Sequence, residues 1–270
     1  MRYSIFDPTG NITALAEDPV EPALQPSAAA AIMQKHPEVE QVGFVSLGGD
    51  MPALRMAGGE FCGNASMSAA ALWCMEQSLA LPAEVQLQVS GAVQPVTVRI
   101  TQREGERFLT AVAMPNAISI AKERFCFASL QGELIIVQLE GISHILIEPA
   151  SPFFPLLADR AAAEQAVRSW CAERNVNGLG LMFLEGDALT PLVFVPGSNT
   201  VFWETSCASG TAAVGMAIAK ATAQSVDRTF SEPGGSLRVF SDPASGQIWL
   251  QGITRRLKQN MEAQEDNRAI

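Results

Sequence analysis

Short runs of alternating apolar and polar residues, rich in β-branched side chains, recur through the first half of the chain. Turn signals such as DPTG at residues 7–10 separate these runs. The pattern predicts strands at residues 2–6, 11–16, 41–47, 53–59, 85–91, 95–100 and 108–115. One segment differs, because the small residues that follow Cys62 have a helical composition, and we expect a helix to begin there.

The second half of the chain repeats this order of elements. Its apolar runs predict strands at residues 132–141, 144–149, 178–186, 191–197, 200–204, 235–242 and 247–253. Residues 159–174 are strongly helical, and another run of small residues follows Cys207. Self-similarity on this scale is the signature of an internal duplication. We therefore predict an α+β fold of two pseudo-symmetric lobes, each a curved, mostly antiparallel sheet wrapped around a central helix.

The order of elements also suggests where the two lobes divide. We assign residues 1–118 to an N-terminal lobe and residues 119–253 to a C-terminal lobe, so that each lobe carries one cysteine at the start of a helix. The segment near residues 254–270 is expected to return to the N-terminal lobe, and its polar end, from Lys258 onward, is expected to fray. A ligand is expected in the cleft between the lobes.

Composition and charge narrow the class of protein. The chain of 270 residues is 48% hydrophobic and 17% charged, which is typical of a packed globular protein, and its formal net charge is -10. The acidic balance and the lack of clustered Lys and Arg argue against a nucleic-acid partner. The first residues lack the apolar segment of a signal peptide, and no stretch is long enough to cross a bilayer. We therefore expect a cytoplasmic protein with no membrane partner.

The cysteines and histidines are too few and too scattered for a metal site. Five cysteines lie at positions 62, 74, 126, 171 and 207, with no C-x-x-C pair, and the chain has two histidines. Zinc sites need such ligands at short spacings, so we predict no bound metal. An odd number of cysteines in a cytosolic protein also argues against a disulfide framework. We interpret Cys74, Cys126 and Cys171 as small buried apolar residues.

Cys62 and Cys207 differ from the others because each precedes a helix of small residues. A helix N-terminus offers unpaired N–H groups and favours a thiolate, so we expect lowered thiol pKa values. The same N–H groups can bind a carboxylate, and here they belong to Gly63, Asn64, Ala208 and Ser209. If the two helices face each other, a bound amino acid has its Cα–H between two sulfurs. One thiolate then removes the α-proton while the opposite thiol protonates the other face, which inverts the stereocentre without a cofactor.

Other classes of protein account for the same two cysteines. Both could be buried packing residues, with small neighbours that only permit close packing. A thiol-redox protein would also carry reactive cysteines, but normally in a C-x-x-C pair, which is absent. A non-catalytic binding protein is a further alternative.

Two segments resemble the cysteine motifs of the diaminopimelate epimerase family: GGEFCGNA at residues 58–65 and SCASGTAA at residues 206–213. The likeness continues through PTGNITALA, GISHILI, ERNVNGLGLMF and the last predicted hairpin, so it covers nearly the whole chain. It implies two-thiol chemistry on a free amino acid, with no PLP or metal, and a homodimer. It also implies that Asn11, His144 and Asn177, or Asn175 in place of Asn177, contact the substrate and that the helix-end amides bind its carboxylate.

The sequence departs from this family where the family binds a second carboxylate. Diaminopimelate epimerases have a Glu-Arg pair before the second cysteine, whereas this chain reads VPGSNTVFWETSC and has no arginine there. We expect Glu204 to take over the role of the missing glutamate. The histidine segment reads Gly-Ile-Ser-His in place of Gly-Asn-Pro-His, which removes another ligand of that carboxylate. Ser143, Ser198 and Asn199 offer only neutral groups, so diaminopimelate is expected to be a poor substrate.

Among relatives that keep both cysteines, the motifs look closest to the histidine racemases that supply metallophore synthesis. An imidazole suits a neutral polar pocket, so histidine is the first expected substrate. The alternatives are diaminopimelate epimerisation, a non-racemase isomerase of the phenazine-biosynthesis type, and a small-molecule binding protein of the same fold. The phenazine-type isomerases lack the cysteine pair, which disfavours that reading.

Overall fold

The computed structural model describes residues 1–197 and 199–262. Its strands are β1 Arg2–Pro8, β2 Thr13–Ala16, β3 Gln41–Ser46, β4 Ala53–Met56, β5 Ala83–Val89, β6 Val96–Glu104, β7 Arg107–Ala113, β8 Ser119–Phe127, β9 Leu130–Gln138, β10 Ser143–Ile147, β11 Leu179–Glu185, β12 Ala188–Val195, β13 Thr200–Trp203, β14 Val226–Glu232, β15 Gly235–Asp242 and β16 Gln247–Glu262. Its α-helices are α1 Gln25–Lys35, α2 Gly63–Glu76, α3 Arg160–Arg174 and α4 Ala208–Thr222, and short 3-10 turns lie at Pro22–Leu24 and Phe154–Leu157. The two helices predicted to follow Cys62 and Cys207 are therefore confirmed.

Eight strands close into a barrel. Their order is β1-β2-β3-β4-β5-β6-β7-β16, and β16 pairs with β1 to complete the ring. Most neighbours in the ring are antiparallel, whereas β2–β3 and β4–β5 are parallel. The described residues thus form a mostly sheet protein with few helices, and the closed barrel was not foreseen from the sequence.

Helix α2 packs against the barrel strands β1, β2, β4, β5, β6, β7 and β16. Its residues from Gly63 to Cys74 are buried, and Gly, Ala and Ser are frequent among them. Such small side chains let the strands approach the helix closely, and larger barrel residues such as Val98 and Phe108 fill the remaining space. The small-residue run after Cys62 is therefore a packing requirement of the barrel.

The sheet continues beyond β16 through β15, β14, β12, β11, β10, β9 and β8, and β13 pairs with β12. Helix α4 packs against β14, β15 and β16, and it shares one apolar core with α2. Helix α3 packs on β11 and β12, where Trp170 meets Phe125 and Phe153 edge to face. Both cysteine-bearing helices thus belong to the same core, while α3 covers a separate one.

Three elements were not expected from the sequence: α1, β8 and β14. Helix α1 is rich in alanine and weakly amphipathic, so it shows no clear apolar periodicity. Strand β8 ends the sheet and carries three consecutive exposed charged residues, Lys122, Glu123 and Arg124. Charged side chains are common on edge strands, where they hide the alternation that marks a half-buried strand.

Two expectations for single segments are corrected. The chain does not fray from Lys258 as far as Glu262, because β16 continues to Glu262 and pairs there with Arg2 of β1; residues 263–270 lie outside the described part. Cys126 is exposed because it lies on the edge strand β8, whereas Cys74 and Cys171 are buried as expected. In the described residues, the helices are too short or too polar to cross a membrane. The division into lobes at residue 118 stays a prediction.

Candidate active site

Cys62 and Cys207 are the N-cap residues of α2 and α4, and the two helix ends face each other. A Cβ added at Gly63 would lie 2.9 Å from the Cβ of Ala208 and 3.1 Å from the Sδ of Met114, so the approach requires a residue without a side chain. Both cysteines line one cavity of about 50 Å³. The structure thus brings two thiols and two sets of helix-end N–H groups to one place.

Two tight turns join the halves of the chain beside this cavity. Gly10, between β1 and β2, has a φ of +101°, and a Cβ there would lie 2.4 Å from the Cα of Gly234 in the β14–β15 turn. The N–H of Gly234 donates to the carbonyl oxygen of Thr205 at 2.7 Å. These contacts bring Asn11, which follows Gly10, next to the segment that leads into Cys207.

Asn11 is buried and belongs to a chain of hydrogen bonds that ends at Cys62. Its Nδ2 donates to Oε2 of Glu40 at 2.9 Å, and its Oδ1 accepts from Nε2 of Gln41. The Oε1 of Gln41 accepts from the thiol of Cys62 at 3.2 Å. Gln41 therefore orients the first thiol, and Asn11 and Glu40 hold Gln41 in place.

The environment of the two thiols differs from the sequence expectation. The Sγ of Cys62 accepts from the N–H of Ala65 at 3.3 Å, but burial raises the pKa of this thiol to about 12. Burial also raises the pKa of the Cys207 thiol well above its ordinary value, and the negative charge of Glu204 adds to this. The predicted lowering of both pKa values is therefore wrong, because loss of water outweighs the helix-end N–H groups. Both cysteines are neutral thiols in this state.

Two glutamates lie in the wall of the cavity beside the thiols. Burial raises the pKa of Glu204 to about 8, while a hydrogen bond with Cys207 acts in the opposite direction. Burial also raises the pKa of Glu60, whose Oε2 has no hydrogen-bond partner among the described residues. A carboxyl group with the pKa of Glu204 can accept or return a proton near neutral pH.

His144 lies behind the cavity wall. Its Nε2 is 2.9 Å from the Oγ of Ser209, which is 3.7 Å from the Sγ of Cys207. Burial lowers the pKa of His144 to about 3, so the ring is neutral at neutral pH. Gly180 makes room for it, since a Cβ there would lie 2.3 Å from Nδ1. A neutral ring in this position orients the Ser209 hydroxyl.

Most of the predicted site residues meet at the cavity. Besides the two cysteines, its wall contains Asn11, Gly63, Asn64, Glu204, Ala208 and Ser209. Asn64 joins the two helix starts, because its Nδ2 lies 3.3 Å from the carbonyl oxygen of Ser206. Asn177 is exposed and lines a surface cavity of about 630 Å³ that shares Glu60 with the cavity of the thiols, but Asn177 is not in the wall of the latter.

Gln41 and Glu232 were not assigned to the site from the sequence. For Glu60, two residues before Cys62, the sequence leaves two interpretations open, a substrate ligand or an acid at the helix start, and its carboxyl group lies in the cavity wall. Gln41 and Glu232 lie 21 and 25 residues from the cysteines they contact. Contacts between elements far apart in the chain bring them to the site, and no local sequence signal marks them.

Two of the neutral groups expected beside the substrate side chain, Ser143 and Asn199, do not line the cavity of the thiols. Ser143 is buried in β10, Asn199 is exposed and accepts from Arg168 at 2.8 Å, and Ser198 is outside the described residues. A second cavity of about 300 Å³ adjoins the first, and Glu60 and Glu204 line both. Among the described residues, the walls of these two cavities contain no arginine or lysine.

The fold occurs in amino-acid racemases. A probable proline racemase from Agrobacterium radiobacter K84 superposes with a TM-score of 0.71 at 13% identity, over 99% of this chain and 94% of that one. Residues 1–257 match the family described as the histidine racemase CntK N-terminal domain. The chain belongs to this family.

Two curated relatives agree with the family match. A histidine racemase from Fusobacterium nucleatum is 30% identical over 224 residues, which is 80% of each chain. A histidine racemase from Staphylococcus aureus is 27% identical over 248 residues, which is 89% of this chain and 88% of the relative. The similarity therefore extends over both cysteine-bearing halves.

Proposed function

We propose that this protein is a histidine racemase that inverts Cα with the thiols of Cys62 and Cys207 and needs no cofactor. The observation that carries the proposal is the pair of cysteine N-caps on facing helices, which line one cavity. Membership of the histidine racemase family supports the choice of substrate.

In this proposal the substrate carboxylate binds between the two helix ends. The N–H groups of Gly63, Asn64, Ala208 and Ser209 are in the first turns of α2 and α4, where intrahelical partners are lacking. Removal of the α-proton leaves an enolate-like carbanion whose charge spreads onto that carboxylate. The partial positive charge of both helix ends then stabilises the transition state more than the ground state.

Glu204 acts as the base that deprotonates the buried Cys207 thiol. In one direction, Glu204 accepts the proton of the Cys207 thiol, and the resulting thiolate removes the α-proton from one face of the substrate. The Cys62 thiol, oriented by Gln41, gives its proton to the opposite face and becomes the thiolate. The reverse direction uses the same groups in the opposite order. With a pKa of about 8, part of the Glu204 carboxyl group is ionised at neutral pH and can accept this proton.

The substrate side chain extends into the cavity of about 300 Å³. The smaller cavity of about 50 Å³ has room for about one or two water molecules, so it accommodates the reacting centre but not a ring. Apolar residues of the larger cavity, among them Ala29, Met33 and Phe202, suit the faces of an imidazole. The unpartnered Oε2 of Glu60 is the acceptor we assign to an imidazole N–H.

Three further features belong to the same proposal. We place α2 and α4 as central helices of two lobes divided at residue 118, since α2 packs mainly on β1, β2 and β4 to β7 and α4 mainly on β14 and β15, with β16 in contact with both. The resemblance to diaminopimelate epimerases supports a homodimer, and sedimentation equilibrium tests it. We also propose a cytoplasmic location, which fractionation of the source cells tests.

Racemisation in deuterium oxide tests the proposal. Either enantiomer of histidine should yield the other, with solvent deuterium at Cα, in the presence of EDTA and without added PLP. Cys62→Ser and Cys207→Ser should each abolish racemisation while far-ultraviolet circular dichroism stays unchanged. Cys126→Ser is the matched control, since this cysteine is exposed and distant in the chain from the site motifs. Racemisation that survives loss of either thiol would reject the two-base mechanism.

Diaminopimelate epimerisation is the second candidate, and one observation disfavours it. A second carboxylate in the larger cavity would face Glu60 and Glu204 with no arginine or lysine among the described lining residues. A carboxylate that is partly buried with no cation to pair with costs free energy, and either glutamate adds repulsion when it is ionised. Histidine presents an N–H donor to the same carboxylates, so the cavity favours histidine.

A further inference from the structure

Glu232 touches the backbone of one reactive cysteine but not its sulfur. It ends β14, is 7% exposed, and its Oε2 accepts from the N–H of Cys207 at 2.6 Å. Its Oε1 forms a hydrogen bond with the Oγ1 of Thr211, one turn into α4. Cys62 has a different arrangement, in which Gln41 and the N–H of Ala65 contact the sulfur itself. The two halves of the site are therefore unequal.

The hydrogen bonds around Thr211 decide where a proton lies. The Thr211 hydroxyl has one proton but two acceptors within reach, Oε1 of Glu232 and the carbonyl oxygen of Cys207 at 2.9 Å. If Glu232 is ionised, the hydroxyl can serve only one of them. If Glu232 carries a proton on Oε1, it donates to Thr211, and Thr211 donates to the Cys207 carbonyl. Oε2 still accepts the Cys207 N–H, so every group is satisfied in the neutral form.

The electrostatic surroundings favour the same state. Burial raises the pKa of Glu232 to about 8, and its hydrogen bonds to Thr211 and Cys207 only partly oppose this. Two titratable groups interact with Glu232: Cys207 and Glu204. A negative charge on Glu232 raises the pKa of both groups. Glu40 lies one step further away, through its hydrogen bond with Thr205. An ionised Glu232 would thus oppose formation of the Cys207 thiolate.

We propose that Glu232 is a positioning residue that works as a neutral carboxylic acid, fixing the Cys207 end of α4 without placing a negative charge beside the thiolate. This inference rests on the proposed function of Cys207 as an acid and base. Its consequence is a loss of activity at alkaline pH when Glu232 ionises. The effect is specific to Cys207, because the Cys62 end has no equivalent carboxyl group on its backbone N–H among the described contacts.

Glu232→Gln is the sharpest variant because glutamine copies the protonated acid. Its amide oxygen can accept the Cys207 N–H, and its NH₂ group can donate to Thr211. We expect the ratio of the kcat/KM of E232Q to that of the wild type to rise about tenfold from pH 7 to pH 9, since about a tenth of an acid stays protonated one unit above its pKa. Titration of the substrate amine cancels in this ratio. A ratio that stays flat or falls over this range would overturn the inference.

Two readouts do not depend on turnover. The infrared difference between wild type and E232Q should contain a protonated carboxyl C=O band at pH 6 that disappears with a midpoint near pH 8. Because the folded pKa exceeds the unfolded value, the contribution of Glu232 to stability is present at low pH and is lost as the pH rises from about 4.5 to about 8. The urea midpoint of the wild type should therefore fall more than that of E232Q between pH 5 and pH 8.

These readouts separate the inference from the proposed function. A protein that does not racemise histidine but has the Glu232-dependent band would reject the function and support the neutral acid. A protein that racemises histidine but has no such band, with equal pH dependence of the two urea midpoints, would overturn the inference. Glu232→Ala removes the acceptor of the Cys207 N–H, and its kcat should fall below that of E232Q at pH 7 if the residue positions α4.

Discussion

The contact between the two helix ends gives a substitution whose effect can be worked out from the structure. In Gly63→Ala the new methyl group would lie 2.9 Å from the Cβ of Ala208, whereas ordinary contact begins at 3.4 Å. Helices α2 and α4 must therefore separate by about half an ångström at this point. Both thiols and the carboxylate-binding N–H groups lie on the helices that move.

Stability and rate are expected to respond differently to Gly63→Ala. Overpacking destabilises a core by about 1–3 kcal/mol, while replacing glycine by alanine in a helix recovers up to about 1 kcal/mol. The net loss of unfolding free energy should therefore be small, about 0–2 kcal/mol. A misplacement of about 1 Å can reduce a rate by about a hundredfold, so half of that should lower kcat by about tenfold.

The assay pairs deuterium incorporation at Cα of histidine with urea unfolding of the same preparation. Gly48→Ala is the matched control, because a Cβ there meets nothing within 4 Å. We expect G63A to lose most of its kcat at a nearly unchanged urea midpoint, and G48A to change neither. Wild-type kcat in G63A would refute the claim that catalysis depends on the spacing of the two helix ends.

Three other predictions concern the same site. Mild oxidation should inactivate the protein by linking Cys62 to Cys207, with dithiothreitol restoring activity; mass spectrometry that finds both thiols free in inactive protein would contradict this. Glu60→Gln should raise the KM for histidine by about tenfold with a smaller change in kcat, because an acceptor for the imidazole N–H loses its charge; an effect on kcat alone would place Glu60 outside the side-chain cavity. Diaminopimelate should be turned over at least about tenfold less efficiently than histidine, and the reverse order in a substrate screen would reject the side-chain assignment.

Local sequence signals predicted the parts of the site that depend on neighbouring residues. The small-residue runs placed Cys62 and Cys207 at helix starts. The helical composition after Asp159 predicted α3, and Oδ1 of Asp159 caps this helix by accepting from the N–H of Ala162 at 3.1 Å. These features depend on residues three or four apart, so a linear pattern contains them.

Features that depend on burial and on distant contacts could not be predicted in this way. The predicted lowering of the thiol pKa values was wrong for this reason. A sequence pattern identifies the helix N-terminus at Cys62 and Cys207, but it does not show that both thiols are buried away from water. Glu232 reaches Cys207 because β14 packs against α4, a contact between residues 25 apart in the chain. Helix α1 was missed because its alanines show little periodicity.

The position of strand β16 in the chain affects how the protein folds during synthesis. It is the last described element of the chain, yet it pairs with β1, β7 and β15, so it both closes the barrel and joins it to the other half of the sheet. During synthesis, β1 cannot pair with β16 until about 250 further residues have been made, and the ring of strands around α2 stays open until then. Until β16 emerges, the apolar face of β1 and the unpaired edge of β7 are candidates for chaperone binding or for misassembly with another nascent chain.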